Sequence, residues 1–426
     1  MPVCGSGRAG ERACMPSYYQ RTLLPVATRP SPVLCGALYA VSILVLAISH
    51  LGHGWGYVDL AIYRDGGEAV LDGSHLYALR FPGALAFTYP PFAALLFTGL
   101  TVPAMAVTQP LATAASLALL PAMLGFALRL EPVSSWLTPR EAVRLALLAS
   151  AAAIWLEPVW TTLRYGQLDV LIGALVLYDL SRPDTARWKG AALGLAIGLK
   201  LTPAIFALYL LMTRRTRAAA VSGAAFLATV ALGFAAIPGD SSEYWGGAFV
   251  DSARVGRIEN AANQTLRGAY ARLFHTVDVE AVWLCTAVIV GVAGLALAVA
   301  AARRGQEAYG FSLCALTGLL VSPISWSHHW TLAVAALLLL AVWAHRAASR
   351  AGLAACAAIA FVAYSHMIWW VPVNHPRHSE LHLDAPQTLF ADAYVLVGLA
   401  ALAVALALAR RGRRSLRARP AQPAPR

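Results

Sequence analysis

The chain has 426 residues, of which 59% are hydrophobic and only 13% charged, about half the charged share of an ordinary soluble domain. Its apolar residues fall in runs of about 17–25, long enough to cross a hydrocarbon core of roughly 30 Å as helices. This excludes a single soluble domain and predicts an all-α polytopic membrane protein, in which polar groups share an interior among packed spans.

The net charge of +12 is concentrated at the ends. Arg8, Arg12, Arg21 and Arg29 precede the first apolar run; Arg410, Arg411, Arg413, Arg414, Arg417 and Arg419 follow the last. The positive-inside rule accounts for both clusters and puts both termini in the cytoplasm. Nucleic acid is therefore not an expected partner, whereas contact of the tails with anionic lipid is. The six cysteines show no metal-binding spacing and read as small apolar residues or free thiols. The first apolar run is long and lacks a small-residue cleavage site, which favours a retained anchor over a removed signal peptide.

A basic tail is expected over 1–32, an integral membrane domain over 33–410 and a basic, disordered tail over 411–426. The first span is Val33–Leu51. An outer loop with surface helices, 52–88, follows; between Asp59 and Asp72 it holds four carboxylates (Asp59, Asp65, Glu68, Asp72) and Arg64. Apolar segments come next near 89–107, 109–129, 142–160 and 166–180. Arg182, Arg187 and Lys189 mark a cytoplasmic turn, and so do Arg214, Arg215 and Arg217. The run between them, 190–212, must therefore go in and come back, as two short helices broken at Pro203, which lacks a backbone donor. Irregular backbone at membrane depth is tolerated where it lines a cavity. Beyond it come a span at 218–237, an outer loop at 238–279, and spans at 280–302, 308–325, 329–345, 351–372 and 390–409. About 11–13 crossings result, given these lengths. One difficulty stays open: the charges flanking 89–165 require an even number of crossings there, and three apolar segments are present.

Several polar groups are not explained by the bilayer. Asp59 lies among Tyr57, Leu60, Ile62 and Tyr63. A loop carboxylate is usually just solvated; in an apolar and aromatic setting, burial raises its pKa and makes it a usable base. Gly166-Gln167-Leu168-Asp169 opens an apolar helix, either as a cap or as a polar lip for a hydroxylated substrate. Lys200 is one of only two lysines and stands inside an apolar run beside the helix break. It either snorkels to the interface or serves as a cation for a lipid-linked phosphate. Asn260–Gly268 forms a polar stretch that includes Asn263, Gln264 and Arg267, with Arg272 beyond it. Ser322–Trp330 carries the adjacent His328 and His329 between tryptophans. This is either an interfacial aromatic belt or a donor set for a phosphate or sugar; a metal site lacks a third ligand at suitable spacing. His366, His375, His378 and His382 are a weaker metal candidate. All the main groups fall on the outer side if the parity holds. No Walker loop, dinucleotide fingerprint or zinc-protease helix is present.

At this point the residues resemble a known group. Asp59-Leu60-Ala61-Ile62-Tyr63, Leu76-Tyr77 and Phe87–Ala93 look like the first outer loop of the actinobacterial polyprenyl-phosphate-mannose-dependent α-(1→2)-mannosyltransferases, glycosyltransferase family 87 of the C-type superfamily. Gly166-Gln167, Lys200–Pro203, Asn263–Gly268 and Ser322–His329 match further blocks, in the family's order. The resemblance covers roughly 33–410 and implies a C-type glycosyltransferase fold with a large first outer loop. It also implies a mannosyl-phosphate polyprenol donor, a mannosyl lipid or glycan acceptor, and inversion at the anomeric carbon. In that mechanism Asp59 is the catalytic base. Lys200, Arg267, His328 and His329 bind the donor phosphate; Tyr63, Tyr89, Gln167, Asn263 and Gln264 hold sugar and acceptor. No cofactor and no metal are called for. Related arabinofuranosyltransferases use a decaprenyl-phosphate arabinose donor, and a non-catalytic polyprenol-lipid transporter is the reading from another class.

Overall fold

The computed structural model describes residues 30–81, 85–373 and 377–417. Most of the N-terminal tail, Cys4, Cys14, His375 and the end from residue 418 onward lie outside the described residues.

The described chain is helical, in agreement with the all-α expectation. Helix α1 (Pro32–His53) starts at Ser31, whose side chain accepts from the Leu34 amide, with Pro32 at the first helical position. After it come α2 (Val58–Asp72), a hairpin of two two-residue strands, and the short α3 (Pro91–Phe97). Next are α4 (Met105–Ala127), α5 (Pro139–Ala153), α6 (Glu157–Tyr165), α7 (Asp169–Ser181), α8 (Ala191–Leu199), α9 (Ala204–Met212) and α10 (Thr216–Ala236). The remainder is α11 (Pro238–Glu243), α12 (Leu266–Phe274), α13 (Glu280–Ala302), α14 (Glu307–Val321), α15 (Thr331–Arg346), α16 (Arg350–Tyr364), α17 (Ala385–Ala391) and α18 (Ala393–Arg417).

Six of these, α1, α4, α10, α13, α15 with the turn before it, and α18, are each long and apolar enough to cross a membrane. Counting the pair α5–α6, bent by 74°, as one broken span brings the number to seven. The other apolar runs that entered the expected 11–13 crossings are shorter helices: α3, α7, α8, α9, α14 and α16. The parity difficulty between 89 and 165 has a simple cause. Helix α3 stops at Phe97, continued only by a 3-10 turn to Leu100, and rises roughly 10 Å at 1.5 Å per residue. With the bent α5–α6 pair counted as one broken span, α4 and that pair give an even number of crossings there. At the far end α18 runs on to Arg417, so the tail expected to be disordered from 411 begins as helix.

The expected break at Pro203 is present: α8 and α9 are separated by Lys200–Pro203. Asp184 takes a hydrogen bond from Lys189 at 2.8 Å and lies 3.7 Å from Arg215, which also pairs with Glu307. Arg303 donates to the Met212 carbonyl at 2.7 Å. The basic turns at 182–189, 214–217 and 303–304 thus meet at one end of the bundle, and Lys200 at the tip of the α8–α9 hairpin faces the other.

That hairpin is seated by small residues. Gly190, Gly194 and Gly198 recur every four residues along one side of α8. A Cβ on Gly194 would lie 2.3 Å from the Ser222 carbonyl oxygen, and one on Gly198 would lie 2.4 Å from Thr229 Oγ1. Without side chains there, α8 packs directly on the α10 backbone, as small residues permit between membrane helices.

The expected first outer loop, 52–88, is not a set of free surface helices. Helix α2 and the hairpin carry their own apolar cluster of Leu60, Ile62, Tyr63, Tyr77, Phe87 and Tyr89, joined by Phe97 of α3 and Leu199 of α8. The loop is therefore anchored to the bundle at the end of α8, one residue from Lys200.

Gly194→Leu forces α8 off α10. Overpacking of this kind costs typically about 1–3 kcal/mol, so the variant should unfold at lower temperature in detergent, while Gly223→Leu, with open space around it, should not.

Candidate active site

Asp59 lies in the first turn of α2, and Tyr63 is four residues on, so both share one helix face. Tyr63 is fully buried, stacked on Phe97 at 4.5 Å and edge-on to Tyr89 at 4.9 Å. Its hydroxyl lies 2.7 Å from that of Tyr89 and donates to Gln167 Oε1 at 2.5 Å; Tyr89 Oη also donates to that oxygen at 3.2 Å. With its carbonyl taken by two phenols, Gln167 turns its amide to Asp59, as the hydrogen bond between the two side chains requires. Gly166 ends α6 in the left-handed region (φ +71°), and a Cβ there would lie 2.7 Å from Leu60 Cβ. Only glycine lets α2 lie this close to the Gln167 turn.

Burial pushes the Asp59 carboxyl up to about 6. The Gln167 hydrogen bond and the Lys200 charge oppose the rise, and the Asp169 charge adds to it. This is the tuning a general base needs near neutral pH. Asp65 is also raised, first by burial and then by Glu68, with Arg64 opposing; six residues on from Asp59, it is off the face that Asp59 shares with Tyr63.

Behind Gln167 sits an ion pair. Lys200 Nζ donates to Asp169 Oδ1 at 3.0 Å, with both side chains nearly buried. The ammonium also lies 5.8 Å from the centre of the Tyr89 ring, a cation–π contact. Lys200 is therefore turned into the protein, against Asp169 and Tyr89. On the other side of Asp169, His328 Nε2 is 3.9 Å from Oδ2, and the His328 and His329 rings are 4.8 Å apart. Asp169 Oδ2, His328 Nε2 and His329 Nδ1 are buried without a hydrogen-bond partner. Unsatisfied buried polar atoms ask for an explanation, and a ligand-binding role is one. The three residues place ligand atoms within 4.8 Å of one another, so the third metal-ligating group that sequence spacing did not offer is supplied by Asp169. Lys200 already occupies its other oxygen, however, and an added cation would meet a like charge. An anion beside Lys200 meets the ammonium and the imidazole N–H groups, with the Asp169 carboxylate, already paired to Lys200, as the opposing charge.

The remaining expected site residues are engaged within the scaffold. Arg267 donates to Ser252 Oγ at 2.6 Å, pairs with Glu280 at 2.7 Å and lies 5.1 Å over the Trp283 ring. Its charge is matched within the 238–279 loop and α13. Asn263 and Gln264 are fully buried and spent on scaffold. Asn263 Nδ2 donates to the Ile258 carbonyl, and its Oδ1 accepts from Thr265 Oγ1 and the Ser325 amide. Gln264 Nε2 donates to the carbonyls of Ala261 and Ala391, and its Oε1 accepts from the Tyr394 amide. No polar atom on either side chain is left for a sugar. Instead they tie the 258–265 loop to the histidine turn: Asn263 bridges Trp326, and the Gln264 amide donates to the Ser325 carbonyl. Arg272, fully buried, pairs with Asp392 and donates to the carbonyls of Glu259, Asn260 and Asn263, which fixes the same loop. Of the weaker histidine set, His378 bonds Glu259 at 2.8 Å and His366 packs edge-on to Trp160; among the described residues they form no metal group.

Sequence reasoning took Asp169 only as part of a lip and passed over Glu157, which proves fully buried beside the histidine turn. The signal was there: a carboxylate inside the apolar run 142–160.

Removing one partner of a buried ion pair strands the other charge and costs about 3–5 kcal/mol. Lys200→Met should therefore lower the unfolding temperature markedly. Lys200→Met combined with Asp169→Asn should recover most of that stability, as thermal unfolding in detergent will show.

Comparison with known proteins gives a consistent picture. The family model described as Glycosyltransferase family 87 matches residues 87–323. A polyprenol-phosphate-mannose-dependent alpha-(1-2)-phosphatidylinositol mannoside mannosyltransferase of Mycobacterium tuberculosis is 33% identical over 387 residues, covering 86% of this chain and 88% of that protein. A protein of the same description from Mycolicibacterium smegmatis is 35% identical, covering 82% and 83%. A polyprenol-phosphate-mannose-dependent alpha-(1-2)-phosphatidylinositol pentamannoside mannosyltransferase of Mycolicibacterium smegmatis is 36% identical, covering 70% and 73%. No solved structure matches the chain. The resemblance read from five short blocks thus extends over most of the sequence, and the chain belongs to glycosyltransferase family 87.

Proposed function

We propose that the protein transfers mannose from a polyprenyl-phosphate-mannose donor to a mannosylated lipid or glycan acceptor, forming an α-(1→2) bond at the outer face of the membrane. The observation that carries this reading is the adjacency of a base and an anion site. Asp59, with its carboxyl near 6, bonds the same Gln167 whose turn leads into Asp169, Lys200 and the unpartnered histidines. The names of the relatives supply the sugar and the donor class.

The mechanism is one in-line displacement. Asp59 takes the proton of the acceptor hydroxyl as that oxygen attacks the anomeric carbon. The bond to the donor phosphate breaks on the opposite face, and the configuration inverts. Lys200 and the two imidazoles meet the negative charge that grows on the leaving polyprenyl phosphate. Gln167, held by Tyr63 and Tyr89, keeps Asp59 aimed. Hydrocarbon has room close by: an apolar cavity of about 980 Å³ reaches from Trp330, next to His329, through Leu337 and Val404 to Arg304. A lipid-linked substrate suits such a neighbourhood.

The test is transfer of labelled mannose from polyprenyl phosphate to a mannoside acceptor in membranes, with expression matched. A positioned base contributes about 10²–10⁴-fold, so Asp59→Asn should lose at least about 10²-fold while still binding donor, and Asp65→Asn should lose far less. Near-normal transfer by Asp59→Asn removes the base from the mechanism. Transfer of arabinose in place of mannose overturns the assigned sugar.

The pH dependence has a definite sign. The base works only when ionised, and its carboxyl is raised to about 6. The kcat/KM for donor, which reports the free enzyme, should be flat above that value and fall about tenfold per unit below it. An acid limb near 4, the ordinary carboxylate value, would mean that Asp59 is not the titrating base.

A further inference from the structure

Among the described residues, five of the six buried carboxylates other than Glu157 pair with a cation, an imidazole or backbone amides, and Glu380 has only the neighbouring Ser379 hydroxyl. Asp169 pairs with Lys200, Glu307 with Arg215, Asp392 with Arg272 and Glu259 with His378; Asp179 caps the Gly190 and Leu193 amides. Glu157 differs. It is fully buried, and every hydrogen bond it receives comes from a neutral group on a different turn of the fold. Oε1 accepts from Thr161 Oγ1 at 2.8 Å, from Ser327 Oγ at 2.7 Å and from Trp369 Nε1 at 3.1 Å; Oε2 accepts from Tyr394 Oη at 2.9 Å. A buried charge is costly unless well hydrogen-bonded, and hydrogen bonds to an ionised acceptor are about twice as strong as neutral ones. Four strong bonds therefore converge here from α6, the histidine turn, the 367–369 turn and α18.

Ser327 directly precedes His328. A second brace acts on the same turn. Thr162, also on α6, lies 3.2 Å from Thr331 Oγ1, which donates to the His328 carbonyl at 2.7 Å. Helix α6 ends in Gly166-Gln167, the turn that holds Asp59. One nine-residue helix thus grips the histidines along its side and presents Gln167 at its end. We propose that Glu157 is a positioning residue: through Ser327 it holds His328 and His329 in the register that binds the donor's phosphate, at a fixed distance from the base. This rests on the functional reading above.

The experiment measures initial rates of mannose transfer against donor and against acceptor concentration. The variants are Glu157→Gln, Ser327→Ala, the double variant and His328→Ala, each with its unfolding temperature in detergent. Glu157→Gln keeps the oxygen that accepts three of the bonds but loses their charge assistance. Small misplacement of an aligned group costs up to about 10²-fold, so its apparent KM for donor should rise roughly tenfold with the KM for acceptor unchanged. Ser327→Ala should do the same, and the double variant should be no worse than the poorer single one, because both act through one bond. A general loss of structure instead lowers kcat and leaves both KM values alone; that result, or additive effects of the two changes, overturns the proposal. If Glu157→Gln does not fold, Ser327→Ala alone decides: an unchanged KM for donor refutes the positioning role. His328→Ala separates the two levels. If it leaves donor dependence unchanged, the phosphate assignment itself fails; if it raises the donor KM while Glu157→Gln and Ser327→Ala do not, only the role of Glu157 falls.

Discussion

The site depends on one ion pair, Lys200 with Asp169. A lysine at the tip of an apolar helical hairpin, without a counter-charge, costs at least about 2.5–3.5 kcal/mol in a membrane. Meeting that cost constrains several elements together. The α8–α9 hairpin must bring its tip to the start of α7, and its glycines let it do so by seating α8 on the α10 backbone. Helix α7 begins two residues after Gln167, so fixing Asp169 also fixes the amide that bonds Asp59. The aromatic cluster around Tyr63 and Tyr89 then closes α2 over this point, and Leu199, next to Lys200, belongs to that cluster.

Much of this was legible because the anomalies were local. A lysine in an apolar run, a proline three residues later, and a carboxylate among tyrosines each violate a simple expectation at one place in the chain. The break at Lys200–Pro203 and the gathering of the basic turns at one end follow directly from the arginine positions and proline's missing donor. What was not legible is long-range pairing. Arg267 reads as a free cation until Glu280 and Ser252 are found beside it. Asn263 and Gln264 read as sugar-binding amides because amides in an outer loop commonly face water; here the backbone of the 258–265 loop and Ser325 consume them. Helix α3 was counted as a crossing because hydropathy does not reveal that the helix stops at Phe97.

Glu157 shows the same limit from the other side. Its anomaly was as visible as that of Lys200, yet a carboxylate next to a proline at a helix start reads as an ordinary favourable first-turn charge. Its four donors come from positions spread between Thr161 and Tyr394, and no sequence period links them. The residues proposed for the chemistry and those proposed to hold them thus announce themselves differently. Lys200 and Asp59, proposed for the chemistry, stand out against their neighbours, whereas the proposed role of Glu157 is read from its partners.

The charge balance of the pocket gives this arrangement a further logic. Two carboxylates, Asp59 and Asp169, share the field of one ammonium, and the nearby imidazoles carry unpartnered nitrogens. In the proposed complex a phosphodiester anion enters beside Lys200 and competes with Asp59 for that field. A nearby negative charge favours the protonated form of a carboxyl, so in that complex Asp59 is a stronger base than without donor. As the glycosyl bond breaks, the phosphate gains charge and draws Lys200 further toward itself, while Asp59 loses its own charge to the acceptor proton. The ammonium is then shared by one anion fewer at the moment when the remaining one needs it most. Proton uptake at one end of the displacement and charge development at the other are coupled through the same side chain. That coupling requires Asp59, Gln167, Asp169 and Lys200 to stay in fixed register, which is what the buried tyrosine pair and the glycine-seated hairpin provide.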